Sequence, residues 1–209
     1  MNIAKLILHY NTPVETAALA RMVPGAIIVN NGSADKFKAA VIEYPDNLGF
    51  TKNWNRVLRR LMGENVYDAF WLMNSDIRIN RKDIDRIQKL MDTGEYNMLT
   101  PSFNCWMKQC RNQGTGGVRE VMCMEFTAPV ITKETFMIMG IFDERFNLGS
   151  GVDFDFALRA QKVGIKMYCD DGSSFVHLEH RSISNIGSLK EYSSKANFCL
   201  LYTSDAADE

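Results

Sequence analysis

The chain has no long uninterrupted apolar run: no stretch of it approaches the ~20 uncharged apolar residues that span a bilayer. It also lacks an excess of charge of either sign, with 24 Lys+Arg against 25 Asp+Glu. Nucleic-acid binding normally leaves a basic excess, so no nucleic-acid partner is expected. The first residues, Met1 to Tyr10, have neither the long apolar core nor the small-residue cleavage site of a signal peptide. They read as the start of a domain in a cytoplasmic protein. Five cysteines occur without a CxxC pair. Cys105 and Cys110 could be zinc ligands or a disulfide, yet their spacing fits no strong metal pattern. Reduced, buried thiols are the plainer expectation for a cytosolic chain. With three histidines and no HExxH, zinc hydrolysis is disfavoured. A nucleotidyltransferase would carry a Gly-rich, basic signature near its N-terminus, and none is present.

What is present suits a globular domain. The length of 209 residues fits one domain, and 46% hydrophobic with 11% aromatic residues can bury a substantial core. The end, Cys199 to Glu209, resembles the translation of a sequencing adapter fused to a reading frame. The domain is therefore expected over residues 1–198, cut near Phe198, with 199–209 a non-native tail that takes no part in the fold.

The pattern along the chain is that of a parallel α/β sheet. Ile3–Leu8 is a short apolar run that stops at the turn signal Tyr10-Asn11-Thr12-Pro13, and a helix is expected from Val14 to Met22. Ala26–Val29 follows and closes at Asn30-Asn31-Gly32-Ser33, which completes a strand–helix–strand unit. Val41–Tyr44 reads as a weaker strand. Thr51–Met62 reads as a helix with Trp54, Val57, Leu58 and Leu61 on one face. Ala69–Met73 is a buried strand ending at Asn74-Ser75-Asp76, and Asp83–Met91 a further helix. Phe103–Gly117 contains Gly114, Gly116 and Gly117 and reads as a mobile loop. Glu120–Thr132 has strand character, Lys133–Met139 and Asp153–Val163 are helical, and Lys166–Cys169 and Ser174–His177 read as closing strands.

In such sheets ligands gather at the C-terminal ends of the strands. Tyr10-Asn11, Asn30-Asn31 and Asn74-Ser75-Asp76 all fall at that edge, although strands also end in turn formers for purely structural reasons. Asn74 and Asp76, two apart on an extended chain, share a face and could offer oxygens to a hard divalent cation; an Asx turn is the alternative. Gly149-Ser150-Gly151-Val152-Asp153-Phe154-Asp155 opens a helix. Asp153 could be a base on a flexible loop, or simply a helix cap with Asp155 complementing the dipole. His177 and His180 follow an apolar run, and neutral imidazole ligates manganese and similar ions; a solvated polar loop is the alternative.

Taken in order, these pieces resemble glycosyltransferase family 2, the inverting GT-A enzymes, including rhamnosyltransferase-like members. The resemblance rests on Leu8-His9-Tyr10-Asn11-Thr12-Pro13, Val29-Asn30-Asn31-Gly32-Ser33, Asn47-Leu48-Gly49-Phe50 through Asn55, and Leu72-Met73-Asn74-Ser75-Asp76. It continues in Gly140-Ile141-Phe142-Asp143-Glu144-Arg145-Phe146, in Val152-Asp153-Phe154-Asp155 with Leu158-Arg159, and in Val176-His177. It spans nearly all of residues 3–182. The family usually has aspartate where Asn30 stands and glutamate where Val152 stands, so base preference and the setting of Asp153 depart from its pattern.

The resemblance implies a GT-A Rossmann-like three-layer α/β fold with a mainly parallel central sheet. It implies Mn²⁺ or Mg²⁺ held by Asp76 and His177, and Asp153 as the base that takes the acceptor's proton. Donor binding would fall to Tyr10, Asn11, Asn30, Asn31, Asn47, Lys52, Asn55, Asn74 and Ser75. The partners implied are a nucleotide-sugar donor and a glycan or lipid-linked acceptor, met in the cytoplasm or peripherally at the inner face of a membrane. A catalytically inactive nucleotide-sugar-binding module is the alternative from a different class.

Overall fold

The computed structural model describes residues 1–34, 37, 39, 41–105, 107–146, 149 and 151–178. Strand β1 (Ile3–His9), helix α1 (Pro13–Met22) and strand β2 (Ile27–Asn31) form the expected unit, followed by β3 (Ile42–Tyr44). Pro13 opens α1, where a missing N–H costs nothing. Helix α2 (Phe50–Glu64) buries Trp54, Val57, Leu58 and Leu61, the apolar face its spacing predicts. It leads into β4 (Ala69–Asn74), whose residues Ala69 to Met73 are all buried, as a central strand covered on both faces requires. Then come β5 (Ile77–Arg78), α3 (Arg81–Asp92), β6 (Met98–Phe103), β7 (Val118–Val121), β8 (Val130–Thr132), α4 (Lys133–Met139), α5 (Val152–Lys162) and β9 (Met167–His177).

The sheet runs β3-β2-β1-β4-β8-β6-β9-β5, with β7 also paired to β9. Strands β1 to β4 are mutually parallel. Because β8 is antiparallel to both β4 and β6, and β9 is parallel to β6, the strands β6 and β9 run the same way as β4. The sheet is thus mainly parallel, with β5, β7 and β8 reversed. An aromatic knot of Phe126, Phe136, Phe142 and Phe156, with ring centroids 5.2 to 5.9 Å apart and mostly edge-to-face, seats α4 and α5 on one another.

Four local readings change. Strand β6 was not expected, because Pro101 interrupts its pattern; proline cannot donate to a ladder and sits at bulges. Here Pro101 pairs with Asp170 while Ser102 pairs with Ser174, so β9 bulges at that step. The bulge makes one strand of what reads as two. At Gly172, inside it, a Cβ would collide with the Arg86 guanidinium, which grips buried Asp170 with Nε at 2.7 Å and Nη2 at 2.8 Å. The stretch 120–132 is two strands, joined by a buried segment whose Thr127 and Pro129 carbonyls accept N–H groups of Asn74 and Leu72, each at 2.9 Å. The segment 103–117, expected to be mobile, is tied down at 112–115. Asn112 Nδ2 donates to the Asp171 carbonyl at 2.8 Å, and Gln113 N and Thr115 Oγ1 donate to the Asp171 carboxylate at 3.1 and 2.9 Å.

Cys105, Cys110, Cys123 and Cys169 are buried free thiols. No helix among the described residues is long and apolar enough to cross a membrane. Ser150, Glu179, His180, Arg181 and the tail Cys199–Glu209 lie outside the described residues.

Candidate functional site

The sheet reverses its order of addition between β1 and β4: β2 and β3 add on one side of β1, and β4 on the other. The connections that leave the C-terminal ends of β1 and β4 therefore diverge, and such a point is where open α/β sheets hold ligands. A buried chain of side chains stitches the two ends together. His9 Nδ1 meets Thr16 Oγ1 at 2.8 Å, and Thr12 Oγ1 meets Ser75 Oγ at 2.7 Å, with 3.4 Å between the two threonine hydroxyls. Ser75 is thereby held from beneath, and the turn carrying Asp76 is fixed to α1.

Asp76 is 1% exposed. Two backbone contacts bring His177 to it: Ile77 pairs with His177 across β5 and β9, and Leu178 donates its N–H to the Asp76 carbonyl at 2.8 Å. Asn104 clamps the same residue, accepting His177 N–H at 2.7 Å on Oδ1 and donating Nδ2 to its carbonyl at 3.3 Å. The outcome is His177 Nε2 at 3.4 Å from Asp76 Oδ1 and His177 Nδ1 at 3.5 Å from Glu125 Oε1. Burial by itself would lower the ring's pKa, but the two carboxylates outweigh it and push it up to about 9.

Glu125 escaped the sequence reading. Its only signal is a lone acid between Met124 and Phe126 in an otherwise apolar run, and spacing does not say that such an acid is buried. It is 7% exposed, accepts the Thr127 hydroxyl at 2.8 Å on Oε1, and its Oε2 has no hydrogen-bond partner among the described residues. Burial pushes its pKa up, while hydrogen bonds from His177, Cys105 and Thr127 pull it down and win, leaving it below the ordinary value.

Its neighbour Phe126 donates its backbone N–H to Asp153 Oδ1 at 2.9 Å. Asp153 does not cap its helix: Gly151 occupies the N-cap of α5 with no side-chain cap. Desolvation, aided by the charge of Glu125 and opposed by the Phe126 N–H, raises the Asp153 pKa to about 7. Asp155 instead pairs with Arg159 at 2.7 Å, and Val152 is buried in the core. Asp76, His177, Glu125 and Asp153 thus form one chain of neighbours, although they come from four parts of the sequence.

No protein-family profile and no curated sequence matches this chain. Solved structures do. GalNAc-T7 with UDP, GalNAc and Mn²⁺ aligns over 85% of this chain and 44% of its own, with TM-score 0.67 and 9% identity. TarS from S. aureus aligns over 89% of this chain and 38% of its own, with TM-score 0.61 and 14% identity. A197 from STIV aligns over 85% and 86%, with TM-score 0.54 and 12% identity. The fold is that of the GT-A glycosyltransferases. This chain spans less than half the length of GalNAc-T7 or of full TarS.

Within this GT-A fold the other residues expected at the site are placed as follows. Asn30 Oδ1 accepts Ser33 N–H at 3.0 Å, and Asn11 Oδ1 accepts Ala34 N–H at 3.0 Å. Asn31 Nδ2 donates to Asn47 Oδ1 at 3.0 Å and to the Gly49 carbonyl at 3.2 Å, while its Oδ1 accepts Leu48 N–H at 3.3 Å. These amides build the turns around the C-terminal ends of β1 and β2. Gly32 has φ 67°, and a Cβ there would collide with the backbone of Asp46 and Asn47, so the two loops press together only because position 32 is glycine. Tyr10 and Asn74 are half-buried and Lys52 is exposed at the start of α2. Asn55 stands apart. It is 0% exposed and grips the Phe142 backbone, donating at 2.7 Å and accepting at 2.9 Å, with Glu144 Oε1 at 3.1 Å. It docks the Gly140–Phe146 segment on α2.

Among the described residues no group of three or more His, Cys, Asp or Glu is disposed to hold a metal ion. Asp76 and His177 nonetheless fit a divalent ion of the Mn²⁺ or Mg²⁺ kind as a pair. They offer one hard oxygen and one imidazole nitrogen 3.4 Å apart, and such ions commonly take one or two protein ligands and complete their shell with substrate phosphates and water.

Proposed function

We propose that this chain transfers a sugar from a nucleoside-diphosphate sugar to a hydroxyl acceptor, a glycan or a lipid-linked sugar, with inversion at the anomeric carbon. The observation that carries the proposal is Asp153: a half-buried carboxylate with its pKa raised to about 7, held by the N–H of Phe126, the residue next to the Glu125 that faces His177 in a GT-A fold. An acid with that pKa is ionised and still basic near neutrality, the condition for general-base catalysis. Asp153 takes the proton from the acceptor hydroxyl as that oxygen attacks the anomeric carbon and the nucleoside diphosphate leaves from the opposite face. Asp76 and His177 would hold a divalent cation, which when bound offsets the charge growing on the diphosphate. Ser75, locked by Thr12, keeps Asp76 in place. Tyr10, Asn11, Asn30 and Asn74 line the strand ends nearest the proposed nucleoside, with Lys52 at the mouth of α2. Asn31, Asn47 and Asn55 serve the donor by holding the loops around it. The reaction is proposed for the cytoplasm, or for the inner face of a membrane when the acceptor is lipid-linked.

A panel of nucleotide sugars, with and without Mn²⁺, tested by thermal shift decides whether a donor is bound. A ligand specific to the folded state raises its apparent stability by mass action. The reading requires at least one sugar nucleotide whose stabilisation depends on Mn²⁺; a panel in which none stabilises the protein overturns it. Release of nucleoside diphosphate then separates an enzyme from an inactive binding module.

A further inference from the structure

The geometry points to Glu125 as a positioning residue that sets the ring orientation and protonation pattern of His177, so that Nε2 is the nitrogen presented beside Asp76. The inference rests on the proposed function, since it concerns the cation which that reading assigns to Asp76 and His177.

His177 lies between two carboxylates. Asp76 Oδ1 faces Nε2 at 3.4 Å and Glu125 Oε1 faces Nδ1 at 3.5 Å. The ring nitrogens of imidazole point away from each other, so one ion cannot be addressed by both. A cation beside Asp76 takes Nε2. Nδ1 then keeps its proton, directed at Glu125. A ligating histidine commonly hands its second N–H to a carboxylate in this way, which fixes the tautomer, orients the ring and raises the ligand's basicity.

Glu125 is suited to that task. The carbonyl of Thr127 accepts Asn74 N–H at 2.9 Å, so the Glu125–Thr127 segment runs beside the turn that carries Asp76. The Thr127 hydroxyl, at 2.8 Å, fixes the Oε1 that faces His177, and the Glu125 N–H is directed at Cys110 Sγ at 3.2 Å. A carboxylate 7% exposed is expensive to keep unless its charge is used. No Lys or Arg pairs with it among the described ion pairs, and the His177 ring is the partner its Oε1 faces.

The test measures Mn²⁺ alone, by the loss of the free-ion electron paramagnetic resonance signal, on wild type, Glu125→Gln, His177→Ala and the double variant, each checked by thermal melting. Glu125→Gln should weaken Mn²⁺ binding about tenfold or more, the size typical for removing such a partner. In the His177→Ala background the same change should do almost nothing, because Glu125 acts through the ring. Wild-type affinity in Glu125→Gln overturns the inference. So does an equal loss with and without His177, which would make Glu125 a direct ligand or a general source of negative charge. If Glu125→Gln melts too low to compare, Glu125→Asp, which withdraws the carboxylate from Nδ1 by one methylene, is expected to show the same dependence on His177. Wild type that takes up no Mn²⁺ overturns the cation reading itself, a result distinguishable from failure of the variant comparison alone.

Discussion

The backbone N–H of Phe126 points at Asp153 Oδ1, 2.9 Å away, so an acid in the first turn of α5 is held by a residue from the middle of the chain instead of capping its own helix. The bond favours the ionised form, while burial and Glu125 favour the neutral one, and burial is the largest of the three.

Activity should follow from that balance. The base must be ionised, so the rate of nucleoside-diphosphate release should climb as pH rises through about 7 and level off above it. Stability runs the opposite way. The folded pKa of about 7 lies above the reference 3.8, so the folded state binds the extra proton between those values. Asp153's contribution is complete below 3.8 and is lost as pH rises through about 7. Asp153→Asn should flatten that part of the denaturation–pH profile, keep donor binding, and lower transfer by about 10²–10⁴-fold. Normal transfer by this variant would remove Asp153 as the base.

Asp76→Ala should leave the fold intact in circular dichroism yet abolish the Mn²⁺-dependent part of the thermal shift given by the stabilising sugar nucleotide. Chelation of wild type with EDTA should reproduce the effect, and added Mn²⁺ should reverse it in wild type only. A shift that survives in Asp76→Ala would place the cation elsewhere.

Asn55→Ala strands a buried N–H and a buried carbonyl of Phe142 together. Each unsatisfied group costs about 1–3 kcal/mol, so urea unfolding should show a large loss of stability, and Asn55→Asp, which keeps the acceptor but turns a second oxygen toward the Phe142 carbonyl and Glu144 Oε1, a loss at least as large. An unchanged midpoint in Asn55→Ala would mean the clamp carries no energy.

Gly32→Ala must place a Cβ against the Asp46–Asn47 backbone at φ 67°. The left-handed conformation alone costs about 1–2 kcal/mol, and the collision adds to it. Both stability and sugar-nucleotide affinity should fall, measured by urea unfolding and titration calorimetry, since the displaced loops carry Asn31 and Asn47.

The repeating strand–helix pattern was readable because parallel strands and amphipathic helices have short-range periods: Ala69–Met73 and the Trp54–Leu61 face lie where their spacing places them. Strand β6 was hidden by Pro101, and β5 has only two residues, too few for any period to show. Asp76, Asp153 and His177 could be singled out because each ends a strand or opens a helix beside a recognisable motif. Glu125 and Asn104 could not, because their importance lies in what they meet across the fold.

By itself the sequence determined which segments become strands and helices, since apolar spacing and turn residues act over a few positions. It also determined which polar residues end up at strand termini. The tertiary structure decided the rest: that Asn55 faces the Phe142 backbone, that Val152 goes into the core while Asp153 turns toward Phe126, and that His177 stands between Asp76 and Glu125. Burial, charge proximity and a hydrogen-bond partner are properties of pairs brought together by β-sheet register, and no single stretch of chain contains them.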